Sequence, residues 1–372
     1  MSTERCLLLT DPLNFPENPT FYGLLHHLLR QIAHGSPQEN DFSLAFATPQ
    51  EAIEQIEDIS VILDRTLCYT PQVKALHRKC AERNIPYVNH PTLMALLANK
   101  KATHDALSLS GIKQPFTQSI GSKDDLIKFM SRLGISRRFV IKPTWGGMGD
   151  WVTFVEMTHG GYIRARWKED SLKIKEFCGF PSDFCQQVLF IQIGETNGGS
   201  RSAEGPVSWI AQEYLDLTGI DGLARDIRVI QQRDRFGVMK TSLIHGRQSD
   251  SAALPLTNLS KGGQLCSVEQ ILDGTGITID QLLSLCSQVN HVFETATGHN
   301  IGEIGHDIAV TRSADKFHLI YLEGNTMPGY VLESWDLLVS ADTEAQQPVL
   351  TTQDRTLLVR PFEYANRIRK NY

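Results

Sequence analysis

The chain has 372 residues, a formal charge of −6, 41% hydrophobic residues and 21% charged ones. That is the make-up of a globular protein of two or three domains, and the negative balance argues against a general nucleic-acid binder without excluding a local basic pocket. No apolar run reaches the roughly 18 residues of a membrane span, the opening MSTERCLLLTD is too short for a signal peptide, and seven scattered cysteines give no disulfide framework, so a cytoplasmic protein with no membrane partner is expected.

In chain order, RCLLLT (5–10) reads as a first strand and TFYGLLHHLLRQIA (20–33) as a helix. FSLAFA (strand), PQEAIEQIE (helix), SVILDR (strand), TPQVKALHRKCAERN (helix) and PYVN (strand) then alternate. Such alternation implies a parallel sheet with crossovers, and the absence of G-x-G-x-x-G removes the dinucleotide fingerprint. A single helical bridge is expected over PTLMALLANKKATHDALSLSGI (91–112), then strand, glycine loop and strand over 137–156. The stretch 157–208 is polar and irregular in places, with Arg164, Arg166, Lys168, Lys173 and Lys175 either on a solvated face or placed to cover a site or meet an acidic substrate. Beyond it, SWIAQEYLDL and ARDIRVIQQRDRFGVMKTSLIHG are strand-rich with a turn at Arg235-Phe236-Gly237. A helix at 278–297, strands at HDIAVTR and FHLIYLEGN, and a helical RPFEYANRIRK complete the chain.

Six stretches carry candidate chemistry. In KPTWGGMG (142–149) the glycines Gly146, Gly147 and Gly149 let backbone N–H groups approach phosphate oxygens, with Lys142 adding charge; the plain alternative is a glycine hairpin. AQEYL, with Gln212, Glu213, Tyr214 and Leu215, either borders an adenine or is an ordinary sheet strand. RDIRV puts Asp226 and Arg228 on one strand face, either a carboxylate orienting a guanidinium or a surface ion pair. TNLSKGG (257–263) and EIGHDIAV (303–310) follow. In EGNTMPG (323–329), Glu323 and Asn325 project from one face before a turn, a hard oxygen pair suited to Mg²⁺ or simply a capped strand end. An antiparallel pairing would bring Asp307 beside them.

In this order, from about residue 95 to 330, the motifs resemble the ATP-grasp superfamily, closest to its RimK-type and YheC/YheD-like carboxylate–amine ligases; TNLSKGG and IGEIGHDIAV are similar to the latter. The resemblance implies an α/β (α+β) ATP-grasp fold with an N-terminal parallel-sheet pre-grasp domain over 1–97. It further implies a central subdomain with the glycine flap and polar insertion over 98–208, and a C-terminal subdomain with the metal site over 209–372. ATP would lie between the last two. Lys100, or its neighbour Lys101, and Lys142 would hold phosphates, with Lys240 a further candidate. Glu213 with Tyr214 and Leu215 would read adenine, and Asp216 or Asp221 the ribose. Asp307, Glu323 and Asn325 would bind Mg²⁺ or Mn²⁺, Arg228 would stabilise the reacting carboxyl phosphate, and Asn258 would sit near metal and phosphates. Gly324, where relatives have a β-branched residue, and His306, where an apolar one is common, depart from the pattern; His306 is expected to be structural or to support the site indirectly. The implied activity is ATP-dependent amide formation from a carboxylate and an amine through an acyl phosphate, possible as a homo-oligomer; the alternatives are a small-molecule kinase of the inositol-phosphate type or a non-catalytic ATP binder.

Overall fold

The computed structural model describes residues 5–10, 43–66, 70–133, 137–146, 151–168, 173–189, 208–217, 219, 221–252, 254–313, 316–328 and 351–370. The expected helix at 20–33 lies outside them.

Strands β1 (Arg5–Thr10), β2 (Ser43–Ala47) and β3 (Ile59–Arg65) form a parallel sheet in the order β2-β1-β3. Helix α1 (Pro49–Glu54) starts at a capping box in which Thr48 and Glu51 satisfy each other's backbone N–H, with Pro49 in the first turn. Helix α2 (Pro71–Glu82) is capped by Thr70 and buries Val73, Leu76 and Cys80. PYVN does not become a strand. Pro86 and Val88 bond only to Ile62 of β3, and Asn89 then leaves the sheet to pair with Ile301.

The helical bridge is two helices, α3 (Pro91–Ala98) and α4 (Lys100–Leu109), broken at Asn99, whose side chain caps the second by accepting from the N–H groups of Lys101 and Ala102. Next come β4 (Thr117–Ile120), α5 (Lys123–Arg132), β5 (Arg138–Pro143), β6 (Thr153–Met157), β7 (Ile163–Lys168), β8 (Ile174–Gly179), the single-turn α6 (Pro181–Phe184) and β9 (Trp209–Glu213). The six strands form one antiparallel sheet, β4-β9-β5-β6-β7-β8. Within the 157–208 stretch β7 and β8 extend the sheet as a hairpin, with Arg164 and Arg166 in ion pairs to Glu176.

The last sheet contains β10 (Arg225–Arg233), β11 (Met239–Gln248), β12 (Gln264–Cys266), β13 (Glu303–Ser313) and β14 (Lys316–Asn325), ordered β12-β11-β10-β13-β14. Helices α7 (Val268–Leu272) and α8 (Ile279–Thr297) precede β13. The final helix α9 (Thr352–Lys370) starts well before the expected 360 and runs through Pro361. Leu93, Leu97 and Leu107 of the bridge are buried with Ile227, Val289, Phe293, Ile304 and Tyr321, so the bridge packs on the last sheet, while β9 belongs to the six-stranded one. The expected boundaries at 98 and 208 thus cut across both packing units, because sheet order is not chain order.

Alternation on β10 and β13 sends Ile227, Val229, Ile304 and Ile308 into this core and leaves Asp226, Arg228 and Asp307 on the opposite face. A bulge interrupts β13–β14: Asp307 opposes Glu323 but Ile308 opposes Tyr321, so Leu322 is an extra residue. Among the described residues no helix is long and apolar enough to cross a membrane.

Candidate functional site

A cleft open to solvent lies between the six-stranded and five-stranded sheets. Its first wall holds Lys142 at the end of β5 and the run from Gln212 to Leu215 at the end of β9; its second holds Asp226, Arg247, Asp307 and Glu323; Lys100 and Asn258 also line it.

The second wall is a chain of charge-assisted hydrogen bonds. Arg228 donates from Nε to Asp307 Oδ1 and from Nη2 to Oδ2, both at 2.7 Å. Arg247 Nη2 approaches Asp307 Oδ2 at 3.1 Å. Arg247 also donates to both oxygens of Asp226, at 2.8 and 2.6 Å, and Thr257 Oγ1 donates to Asp226 Oδ2 at 2.7 Å. The sequence reading has Asp226 orienting Arg228; in the structure Asp226 holds Arg247, its direct cross-strand partner, while Arg228 opposes Asp307. Burial pushes the Asp307 carboxyl up, but Arg228 and Arg247 hold it well below the usual carboxylate range. His245, opposite Arg228, has both ring nitrogens buried without a partner among the described residues, and burial together with Arg247 and Arg228 lowers its pKa to about 4.

Asp307 and Glu323 are cross-strand partners, and Asn325 opposes Gly305, two residues along the same face. Among the described residues no group of three or more His, Cys, Asp and Glu suits a metal, so the candidate set is two carboxylates and an amide. These are oxygen donors, the hard set that Mg²⁺ and Mn²⁺ take. A carboxylate has about four acceptor sites, so the three arginine N–H groups on Asp307 leave room for a cation. Among the described residues the amide nitrogen of Asn325 is buried without a partner; it is a donor, so the side chain's oxygen is the atom a cation would take. The residues fit the ion.

Across the cleft, burial lowers the pKa of Lys142, and the Glu323 and Asp307 carboxylates pull it partly back. The N-terminus of α4 is tied to the glycine loop: Lys100 N–H donates to the Thr144 carbonyl at 2.8 Å and its ammonium to the Gly146 carbonyl. Lys101 turns away to Asp105. Gly146 has φ of 106°, open to glycine at little cost; Gly147 and Gly149 lie outside the described residues. At the end of β9, Gln212 donates to Thr117 Oγ1 at 3.0 Å and Glu213 accepts from the Phe116 N–H at 3.3 Å. Tyr214 packs under the Arg138 guanidinium, 4.3 Å from the ring centroid.

Arg228 and Asn325 join the site through Asp307 and the β14 register without lining the cleft, and three further candidates stand elsewhere. Lys240 is exposed and opposite Gln232, toward the turn of the β10–β11 hairpin and outside the cleft lining. Asp216 faces Arg138 and Asp221 pairs with Arg225, and neither lines the cleft. Both departures from the motif belong to the core face. His306 is fully buried, its Nδ1 lies 3.2 Å from the Tyr321 hydroxyl, and burial lowers its pKa to about 3. Gly324 opposes His306, and a Cβ there would sit 2.6 Å from that hydroxyl. Tyr321 fills the space a β-branched residue would need.

These features define an ATP-grasp protein. The chain has the fold of a D-alanine–D-alanine ligase from Bacillus anthracis (TM-score 0.55, 14% identity, 99% of each chain covered) and of the D-cycloserine synthetase DcsG (0.54, 11%, 99% of each). A RimK domain ATP-grasp protein from Sphaerobacter thermophilus also shares it (0.51, 15%, 90% of this chain and 94% of that one). At these identities the likeness establishes the fold. The sequence pattern of the YheC/D like ATP-grasp family matches residues 84–367, and the chain belongs to that family.

Proposed function

We propose that the protein is an ATP-dependent carboxylate–amine ligase. One observation carries this reading: Lys142 on one sheet faces Asp307 and Glu323 on the other across a cleft bordered by the Gln212–Leu215 run. The ammonium and the carboxylate pair match the two needs of a triphosphate, direct neutralisation and a bound cation. Tyr214 and Leu215 provide apolar cover for a base beside Glu213. Asp307, Glu323 and Asn325 hold Mg²⁺ or Mn²⁺, which neutralises phosphate charge when bound.

A substrate carboxylate attacks the γ-phosphorus, giving an acyl phosphate and ADP. A neutral amine then attacks the acyl carbon, phosphate leaves, and the nitrogen loses a proton to give the amide. Arg228 gives Nε and Nη2 to Asp307, and its remaining Nη1 would meet the oxygen that gains charge. Lys142 and Lys100 bind the phosphates, and Asn258 orients them from the facing loop. The N-terminal parallel sheet serves as the pre-grasp unit.

The test supplies ATP, Mg²⁺, hydroxylamine and a panel of amino acids and short peptides. Hydroxamate is the expected product, and Glu323→Ala removes it with the fold intact. A stable phosphorylated product would instead mark a kinase, and no ATP consumption with any acid would leave a binder.

A further inference from the structure

Lys168 stands out among the basic residues of 157–208 because its side chain is only 4% exposed. It sits at the end of β7, on the six-stranded sheet, and its ammonium crosses to the other wall of the cleft. There it donates to Asp250 Oδ2 at 2.8 Å and to the Lys261 carbonyl at 2.7 Å. Both acceptors flank the segment that carries Asn258. Asp250 follows β11, and Lys261 ends a single 3₁₀ turn, Leu259–Lys261, that starts at Asn258.

The segment is shaped for this contact. Gly262 has φ of 92°, and a Cβ on it would come 2.9 Å from Asp250 and 3.5 Å from the Lys168 ammonium. A Cβ on Gly263 would strike the Thr257 carbonyl at 2.3 Å. Two glycines thus let the turn close onto the lysine. On its other side the segment is pinned by Thr257 to Asp226 and so to Arg247. Asn258 sits between the two anchors, one from each sheet.

We propose that Lys168 is a positioning residue that latches the two walls of the cleft together and sets Asn258 against bound nucleotide. A buried ammonium stripped of partners is strongly unfavourable, so the walls separate only when water reaches Lys168. The latch therefore favours the closed cleft and slows nucleotide release. This role rests on the ATP-binding part of the reading above.

The test uses the full chain. With Lys168→Met, the Kd for ATP with Mg²⁺ by titration calorimetry should rise about tenfold, an ordinary size for coupling between two sites, mostly through faster release. Lys168→Arg should recover part of it, and Arg166→Met, on the exposed part of the same strand, should match wild type. If Lys168→Met does not fold, Asp250→Asn takes its place with the same expected direction. Wild-type affinity in the folded variant overturns the latch, and a lowered Tm with unchanged Kd shows a structural role only. Should the wild type itself bind no ATP, the functional reading fails instead. The latch is then judged by hydrogen exchange without nucleotide, where the amides of Lys261, Gly262 and Gly263 should exchange faster in the variant; equal rates overturn it.

Discussion

On the second wall, Arg228, Asp307, Arg247, Asp226 and Thr257 satisfy one another through contacts of 2.6–3.1 Å. Lys142, on the facing wall, has no hydrogen bond among the described residues and only the distant pull of Glu323 and Asp307. One wall is interlocked before any ligand arrives; the other keeps a cation in reserve. On the proposed reading, the difference separates two needs of phosphoryl chemistry. Cation ligands must be held in fixed geometry, whereas a charge that meets a triphosphate is most useful when nothing else has claimed it.

The largest effect should come from breaking the interlocked wall. Asp226→Asn leaves Arg247, 3% exposed at its side chain, without its main counter-charge. A loss of about 3 kcal/mol in urea denaturation is expected; an unchanged midpoint would show that the wall is not interlocked. Lys142→Ala makes the opposite case: Kd for ATP should rise about tenfold, the size of an ordinary charge-assisted contact, with the urea midpoint at or slightly above wild type. A large stability loss there would erase the contrast between the walls.

A pH-dependent comparison sets Asp307 beside its neighbour His306 on the core face. The folded chain refuses a proton on His306 until about pH 3, while the unfolded chain accepts one below 6.5. Stability from the neutral imidazole is therefore complete above pH 6.5 and drains as pH falls toward 3, by roughly 1 kcal/mol per unit. His306→Gln should flatten that slope between pH 6.5 and 5 in denaturation at several pH values; an unaltered slope would place the acid sensitivity elsewhere.

The order of the motifs made the fold family and half of the cleft lining legible, because Lys142, the Gln212–Leu215 run and Glu323 come at strand ends that converge on the cleft. Pairing was less legible. A plain count from Arg233 opposite Met239 places Asp226 opposite Gly246, and only the bulge at Ile230/Gln231 moves its partner to Arg247. Nothing local announces such a bulge, so Asp226 reads as the partner of Arg228. Composition left Lys168 open between solvent and a site, and only the structure shows its buried ammonium on Asp250 and the Lys261 carbonyl. The split at Asn99 was visible in principle, since asparagine is a preferred N-cap, but the apolar pattern runs through it.

The extra residue at Leu322 has an outcome of its own. Pleated alternation would point Leu322 and Glu323 to opposite sides, yet both line the cleft while Tyr321 remains in the core. A greasy floor and an acidic grip thus stand shoulder to shoulder on a rigid ribbon. A chain shortened by that single position would have to give up one of them, or drag Tyr321 out into water to keep both.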